Sequence, residues 1–134
     1  VSVDYKTSLM GGSTVYVTNG QIKTGISPLE YAKKIEQLGA GELIISSIDR
    51  EGTAKGYDLK LLSDISKSIS IPVVASGGAG DISDFLAVKK CGHVHAVSAG
   101  SMFVFYGPHK AVLINYPSYD EIGYLFNGDE DYEL

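Results

Sequence analysis

Cysteine is nearly absent: Cys91 is the single thiol among 134 residues. One thiol cannot close an internal disulfide, which suits a reducing cytoplasm. Cys91 lies among apolar residues at the end of an expected helix and reads as a packing residue. Positive charge is scarce too. Eleven Lys and Arg against sixteen Asp and Glu leave a formal charge of −5, and no basic cluster exceeds Lys33-Lys34 or Lys89-Lys90. Nucleic acid and anionic membranes are therefore not expected partners, and an anionic ligand would have to be held locally. No apolar run reaches the length needed to span a bilayer, and the N-terminus has neither a basic n-region nor a small-residue cleavage site. The expected location is cytoplasmic. A starting Met is missing as well: Val1 stands directly inside an apolar alternation, so the chain is expected to be part of a longer one. Metal-ligand spacing is also lacking. His93 and His95 stand two apart around an expected strand, facing one side, but no third ligand accompanies them. Neither a metal nor a cofactor is expected.

What is present is a core. A hydrophobic share of 44% fits one globular domain, with strand and helix in alternation. Residues 1–4 read as a strand ending in Asp4, and 5–12 as loop. Residues 14–18 and 21–24 flank Asn19-Gly20, the strongest short hairpin signal. Ser27-Pro28-Leu29-Glu30 carries a cap, a proline at the first helical position and a Glu three after the cap. The helix that follows has Leu29, Ala32, Ile35 and Leu38 on one side, and Gly39 ends it. Residues 42–47 form a nearly continuous apolar strand, expected to be buried on both faces as in a parallel sheet. A helix from Asp58 carries Leu59, Leu62, Ile65 and Ile69. A strand at 73–75, a helix over 81–90 with Ile82, Phe85 and Val88 inward, and a strand at 94–98 complete the pattern. This alternation predicts a parallel α/β sheet. Polar residues follow each strand, so Asp4, residues 46 to 51, Ser76 to Gly78 and Gly100-Ser101 should share one rim. That rim is the ligand side in open doubly wound sheets and in closed barrels alike, and the pattern does not separate the two.

Two strand ends are glycine-rich, Ser76-Gly77-Gly78-Ala79-Gly80 and Ser98-Ala99-Gly100-Ser101. Glycine lets the backbone approach a ligand, and open amides attract anions, so either loop can cradle a phosphate or simply turn tightly. Ser101 is either a phosphate ligand or an N-cap. Asp4 is the best general acid or base, with strand-end capping as its structural alternative. Asp49, Arg50 and Glu51 divide the same way between structure and ligand. His109 reads as a loop residue. Nine tyrosines, of which Tyr106, Tyr116, Tyr119 and Tyr124 crowd the last third, point to a contact surface or a packed tail. A last short helix is expected from Ser118, with Glu121 completing a capping box and Ile122, Leu125 and Phe126 following. Residues 127–134 are acidic and expected to fray.

With these motifs in place, the chain resembles the C-terminal half of the cyclase subunit of imidazole glycerol phosphate synthase. The resemblance rests on Val-Ser-Val-Asp-Tyr-Lys at 1–6, Thr24-Gly25, Gly-Ala-Gly-Glu at 39–42, Ser-Ser-Ile-Asp-Arg-Glu-Gly-Thr at 46–53, Gly56-Tyr57-Asp58 and Ala-Ser-Gly-Gly-Ala-Gly at 75–80. It implies a (β/α)8 TIM barrel of which this chain supplies strands 5 to 8, a half-barrel in one domain with a divergent tail at 106–134. It also implies that ammonia from a glutaminase subunit meets a ribulosyl-linked aminoimidazole carboxamide nucleotide bearing two phosphates. Asp4 falls on one of two catalytic aspartates, the other lying on strand 1. Glu51 takes the position of a second acid in the loop after strand 6. Ser76, Gly77, Gly78, Gly100 and Ser101 fall on a phosphate clamp, Thr24, Gly25, Ser46 and Gly52 border the substrate, and Glu42 matches an acid of the ammonia gate.

Four features depart from that family's pattern. Glu51 stands where Asp is usual and Ser46 where Thr is, and Tyr5 replaces a small residue beside Asp4. The fourth, residues 103–117, looks like cyclase paralogues that deliver ammonia for acetamidino-sugar formation in surface polysaccharide biosynthesis. A half-barrel leaves strand edges unpaired and an inner face wet. Self-association, or pairing with an N-terminal half-barrel, is therefore expected, and the chain alone could be an inactive assembly module.

Overall fold

A computed structural model describes residues 1–107 and 109–127, and for 124–127 only the backbone. Two compact units divide the chain, Val1–Met102 and Phe103–Leu134. The first holds strands β1 (Ser2–Thr7), β2 (Ser13–Val17), β3 (Ile22–Lys23), β4 (Leu43–Ser47), β5 (Val73–Ser76) and β6 (Ala96–Ser98), with helices α1 (Pro28–Gln37), α2 (Leu59–Ser66) and α3 (Ile82–Gly92). They form one sheet in the order β3-β2-β1-β4-β5-β6. β1, β4, β5 and β6 run parallel, while the hairpin β2–β3 is antiparallel beside β1.

Each parallel strand is added outside the previous one, always in the same direction. Right-handed crossovers that never reverse direction lay every helix on one face of the sheet, whereas a doubly wound sheet reverses and carries helices on both. Burial follows that rule. Val3, Tyr5, Leu43, Ile45, Val73 and Ala75 are closed off beneath Ala32, Leu62, Ile65, Phe85 and Val88. Their neighbours in sequence, Asp4, Ile44, Ser46, Val74 and Ser76, point the other way and stay half-buried. The 42–47 strand is thus closed on one face, not two, because the described helices of this unit cover the sheet from one side.

Local chemistry accounts for the helix starts. Ser27 Oγ accepts from the Glu30 amide at 3.2 Å with Pro28 in the first turn of α1, and Asp58 accepts from the Leu61 amide ahead of α2. Asp81 and Asp84 form a reciprocal capping box on α3, so the helices begin where the sequence places them. The hairpin also forms, with Thr18, Asn19 and Gly20 all at positive φ in a turn longer than two residues.

Four further expectations need correction. β1 does not end at Asp4 but runs to Thr7, because residues 4–7 pair with β2, a contact that the local pattern cannot reveal. β6 begins at Ala96 rather than residue 94, since His93 closes α3 in a left-handed C-cap with φ 54°. The two histidines therefore do not share a strand face. His95 instead takes the Val73 amide on Nδ1 at 3.2 Å. Cys91 is exposed, not packed: the buried residues of α3 are Phe85, Val88 and Gly92, and the thiol lies at the margin of that face.

In the second unit, β7 (Phe105–Tyr106) and β8 (Ala111–Val112) pair antiparallel after the short helix α4 (Ser101–Val104), and α5 (Tyr119–Asn127) follows. Phe103 and Tyr116 stack with ring centroids 5.0 Å apart. The Ser118–Glu121 capping box forms as expected, with each hydroxyl, amide and carboxylate bond in place. Tyr106, Tyr116 and Tyr119 are exposed. Pro108, the side chains of Tyr124, Leu125 and Phe126, and the expected acidic end at 128–134 lie outside the described residues.

Candidate functional site

Strand register builds the site. Tyr16, Asp4, Ser46, Ser76 and Ser98 are successive lateral partners across β2, β1, β4, β5 and β6. Residues in lateral register project to the same side of a sheet, so one phenol, one carboxylate and three hydroxyls stand in a line on the helix-free face. Beneath them, toward the strand starts, Ser2, Ile44, Val74 and Ala96 form a second, mainly apolar row. Asp4 Oδ1 accepts from Ser2 Oγ at 2.8 Å. Tyr16 is held by Lys6, whose Nζ lies 4.7 Å from the ring centroid and also donates to the Gly20 carbonyl.

The loop between β4 and α2 ties the strand ends together. Asp49 accepts the Thr7 amide at 2.6 Å, fastening it to β1. Arg50 Nη1 donates to the Gly56 carbonyl, and the Gly56 amide donates to the Gly78 carbonyl at 2.9 Å, fastening it to the loop after β5. The Tyr57 hydroxyl donates to the Ser98 carbonyl at 2.9 Å, and Ser101 Oγ donates to Glu51 Oε1 at 3.2 Å, reaching β6 and the residues after it.

Three of the loop glycines are required by packing, Gly80 among them, where a Cβ would stand 2.5 Å from that of Ala54. A Cβ on Gly77 would stand 2.6 Å from the Ser47 carbonyl oxygen, and one on Gly78 would collide with the Gly56 backbone, and both have positive φ. Gly100 meets nothing within 4 Å and has an ordinary φ. Its lack of a side chain is the one that packing does not explain.

Tyr5 does not flank Asp4 in space. Alternation turns it to the helix face, where it is 1% exposed and its hydroxyl donates to Asp58 Oδ2 at 3.3 Å. Burial pushes the Tyr5 phenol far up, Ser47 draws it partly back, and the Asp58 carboxylate raises it again. Burial, with the Asp84 and Glu51 carboxylates behind it, does the same to Tyr57. Both phenols are therefore fixed donors at neutral pH.

Of the residues singled out in the sequence, Asp4, Ser46 and Ser76 share the row. Glu51 and Ser101 meet directly, with Gly52 beside them: a Cβ there would lie 3.5 Å from Ser101 Oγ. Thr24 stands apart at the hairpin base, its hydroxyl donating to Val15 and accepting from the Ile26 amide, with Gly25 next to it at φ +78°. Glu42 precedes β4, at the opposite end of the strand from the row, and is exposed. Tyr16 escaped the sequence reading, and Ser98 entered it only as the first residue of a glycine-rich strand end, without a role of its own. Period-two counting from Asp4 and Ser76 could reach them only once the register was known. Among the described residues, no group of three or more His, Cys, Asp or Glu is placed to hold a metal ion. No helix among them is long and apolar enough to cross a membrane.

The family model described as histidine biosynthesis protein matches residues 1–109. The chain belongs to that family. Within it, a putative imidazole glycerol phosphate synthase subunit hisF2 from Pseudomonas aeruginosa is 43% identical over 121 residues, covering 90% of this chain and 48% of the relative. A putative subunit HisF from Leptospira interrogans is 42% identical over 127 residues, 94% of this chain and 50% of the relative. The imidazole glycerol phosphate synthase subunit HisF of Alkaliphilus metalliredigens is 43% identical over 103 residues, 77% and 41% respectively. The chain thus spans about half the length of the curated relatives it matches. The histidine biosynthesis family match covers every residue of the polar row and both glycine loops, and the resemblance to its cyclase subunit read from the motifs agrees with the names of these relatives.

Proposed function

We propose that residues 1–102 supply strands 5 to 8 of a (β/α)8 barrel and work as part of the cyclase subunit of imidazole glycerol phosphate synthase. Ammonia from a glutaminase partner meets a ribulosyl-linked aminoimidazole carboxamide nucleotide on the helix-free face, giving imidazole glycerol phosphate in histidine biosynthesis. The observation that carries this reading is the placement of Asp4 in register with Ser46 and Ser76 on that face, level with the ends of β5 and β6 where the glycine loops lie. Asp4 moves a proton as general acid or base, and Glu51 is the second carboxylate at the rim. Ser76, Gly77, Gly78, Gly100 and Ser101 hold one phosphate, with Ser46, Gly52, Thr24 and Gly25 bordering the substrate. Glu42, at the far end of its strand, lies where ammonia would enter. The half-exposed row Ile44 and Val74 and the unpaired edges of β3 and β6 favour closure by an N-terminal half-barrel or by a second copy. The setting is cytoplasmic.

The deciding test supplies the histidine-pathway nucleotide and ammonium to the barrel that contains this segment and follows imidazole glycerol phosphate. Turnover that disappears in Asp4→Asn supports the reading, and a folded barrel with no turnover removes it. One observation favours a second reading, a paralogue that delivers ammonia for acetamidino-sugar formation in surface polysaccharide biosynthesis. Likeness to the two relatives named as putative extends over 90% and 94% of the chain, through the tail, but covers 77% for the Alkaliphilus subunit.

A further inference from the structure

We infer that Ser98 is a ligand-contacting, specificity-determining residue of the same site, held in place by Tyr57; this rests on the phosphate-site reading above. Ser98 is the lateral partner of Ser76, which is the partner of Ser46, which is the partner of Asp4. Its hydroxyl therefore stands on the helix-free face at the level of the carboxylate. With strands about 4.8 Å apart, the three steps from Asp4 to Ser98 span about 14 Å. A ligand with its phosphate on Gly100 and Ser101 and its reacting end at Asp4 has to cross that distance. It passes Ser98 first, because Ser98 lies two residues before Gly100 on the same strand end. Inorganic phosphate is too short to make the crossing.

Ser98 would be poorly placed without help. β6 has three residues, is the outer strand of the parallel set, and is exposed at Ala96 and Ser98. Tyr57 supplies the help. Its ring is 4% exposed and packed near Phe85, with centroids 6.5 Å apart, and its hydroxyl donates to the Ser98 carbonyl at 2.9 Å. That bond fixes the Ser98 backbone and with it the direction of the side chain. Tyr57 is thus a positioning residue, touching no ligand itself.

The class of ligand follows from the line of hydroxyls. Ser46, Ser76 and Ser98 each present both donor and acceptor capacity along one edge, complementary to the hydroxyls of an extended phosphorylated polyol or ribosyl chain. The test titrates this chain with two probes, the ribulosyl-linked nucleotide and inorganic phosphate, following amide shifts of Gly100 and Ser101 by NMR. Ser98→Ala should weaken the nucleotide about 3- to 10-fold, the worth of one neutral hydrogen bond, and leave phosphate within twofold. Tyr57→Phe should reproduce that selective loss and Ser98→Thr should restore binding, with circular dichroism checking that each variant is folded. No change for the nucleotide, or equal weakening of both probes, overturns the role of Ser98. Failure of the unsubstituted chain to bind either probe overturns the phosphate-site reading, and the role of Ser98 with it.

Discussion

At the scale of single residues, the two kinds of glycine make opposite predictions. Gly77→Ala should cost at least about 1 to 3 kcal/mol in urea unfolding, because the new Cβ would both occupy positive φ and strike the Ser47 carbonyl. Gly100→Ala should leave stability unchanged, since its surroundings are open, and show its effect in phosphate affinity instead. Equal destabilisation at both positions would mean that the second loop is structural too. Glu51 makes another prediction. Its carboxylate now accepts the hydroxyl of Ser101, the group assigned to phosphate, so Glu51→Gln should tighten inorganic phosphate binding while lowering turnover. Weaker phosphate binding in that variant would place Glu51 outside the anion site. The sequence identified these residues because glycines and acids at strand ends carry a recognisable chemistry. It could not say which glycines serve packing, since Ser47 and Gly56 come near Gly77 and Gly78 only after the chain has folded back.

At the scale of elements, α2 illustrates how one residue serves two structures. Asp58 caps the helix through the Leu61 amide and also accepts the buried Tyr5 hydroxyl from β1. Asp58→Ala should therefore cost more than the roughly 1 kcal/mol of an ordinary cap, with about 1 to 3 kcal/mol added for the stranded phenol. Tyr5→Phe introduced into that variant should recover part of the loss, and strict additivity of the two substitutions would rule out the coupling. Helix starts were legible in the sequence because a cap and its partner lie within four residues, as at Ser27, Asp81 and Ser118. Strand limits were not. The extension of β1 to Thr7 and the shortening of β6 to Ala96 depend on pairing partners and on a left-handed His93, neither of which leaves a local pattern. The place of Tyr16 and Ser98 in the polar row was missed for the same reason, since a residue's lateral neighbours are set by register.

At the scale of the whole molecule, one-way strand order and one-sided burial set this parallel sheet apart from a doubly wound one, a reading that alternation of strand and helix had left open. The buried phenols give this architecture a pH signature. Tyr5 and Tyr57 have folded pKa values raised above the ordinary value near 10, so the unfolded chain loses these protons first. Their contribution is fully present below about pH 10 and is lost as pH rises further, so urea midpoints should stay level up to that point and then fall, less steeply in Tyr5→Phe. A wet inner row and two free edges predict that the chain sediments as a dimer or larger at micromolar concentration, and a stable monomer would count against closure by a second copy. The most direct measurement is imidazole glycerol phosphate formation from the ribulosyl-linked nucleotide and ammonium, with this chain combined with a strand 1 to 4 half-barrel. Turnover that falls about 10²- to 10⁴-fold in Asp4→Asn is the predicted result; a folded, assembled barrel that makes no product, or one that is indifferent to Asp4, would contradict it.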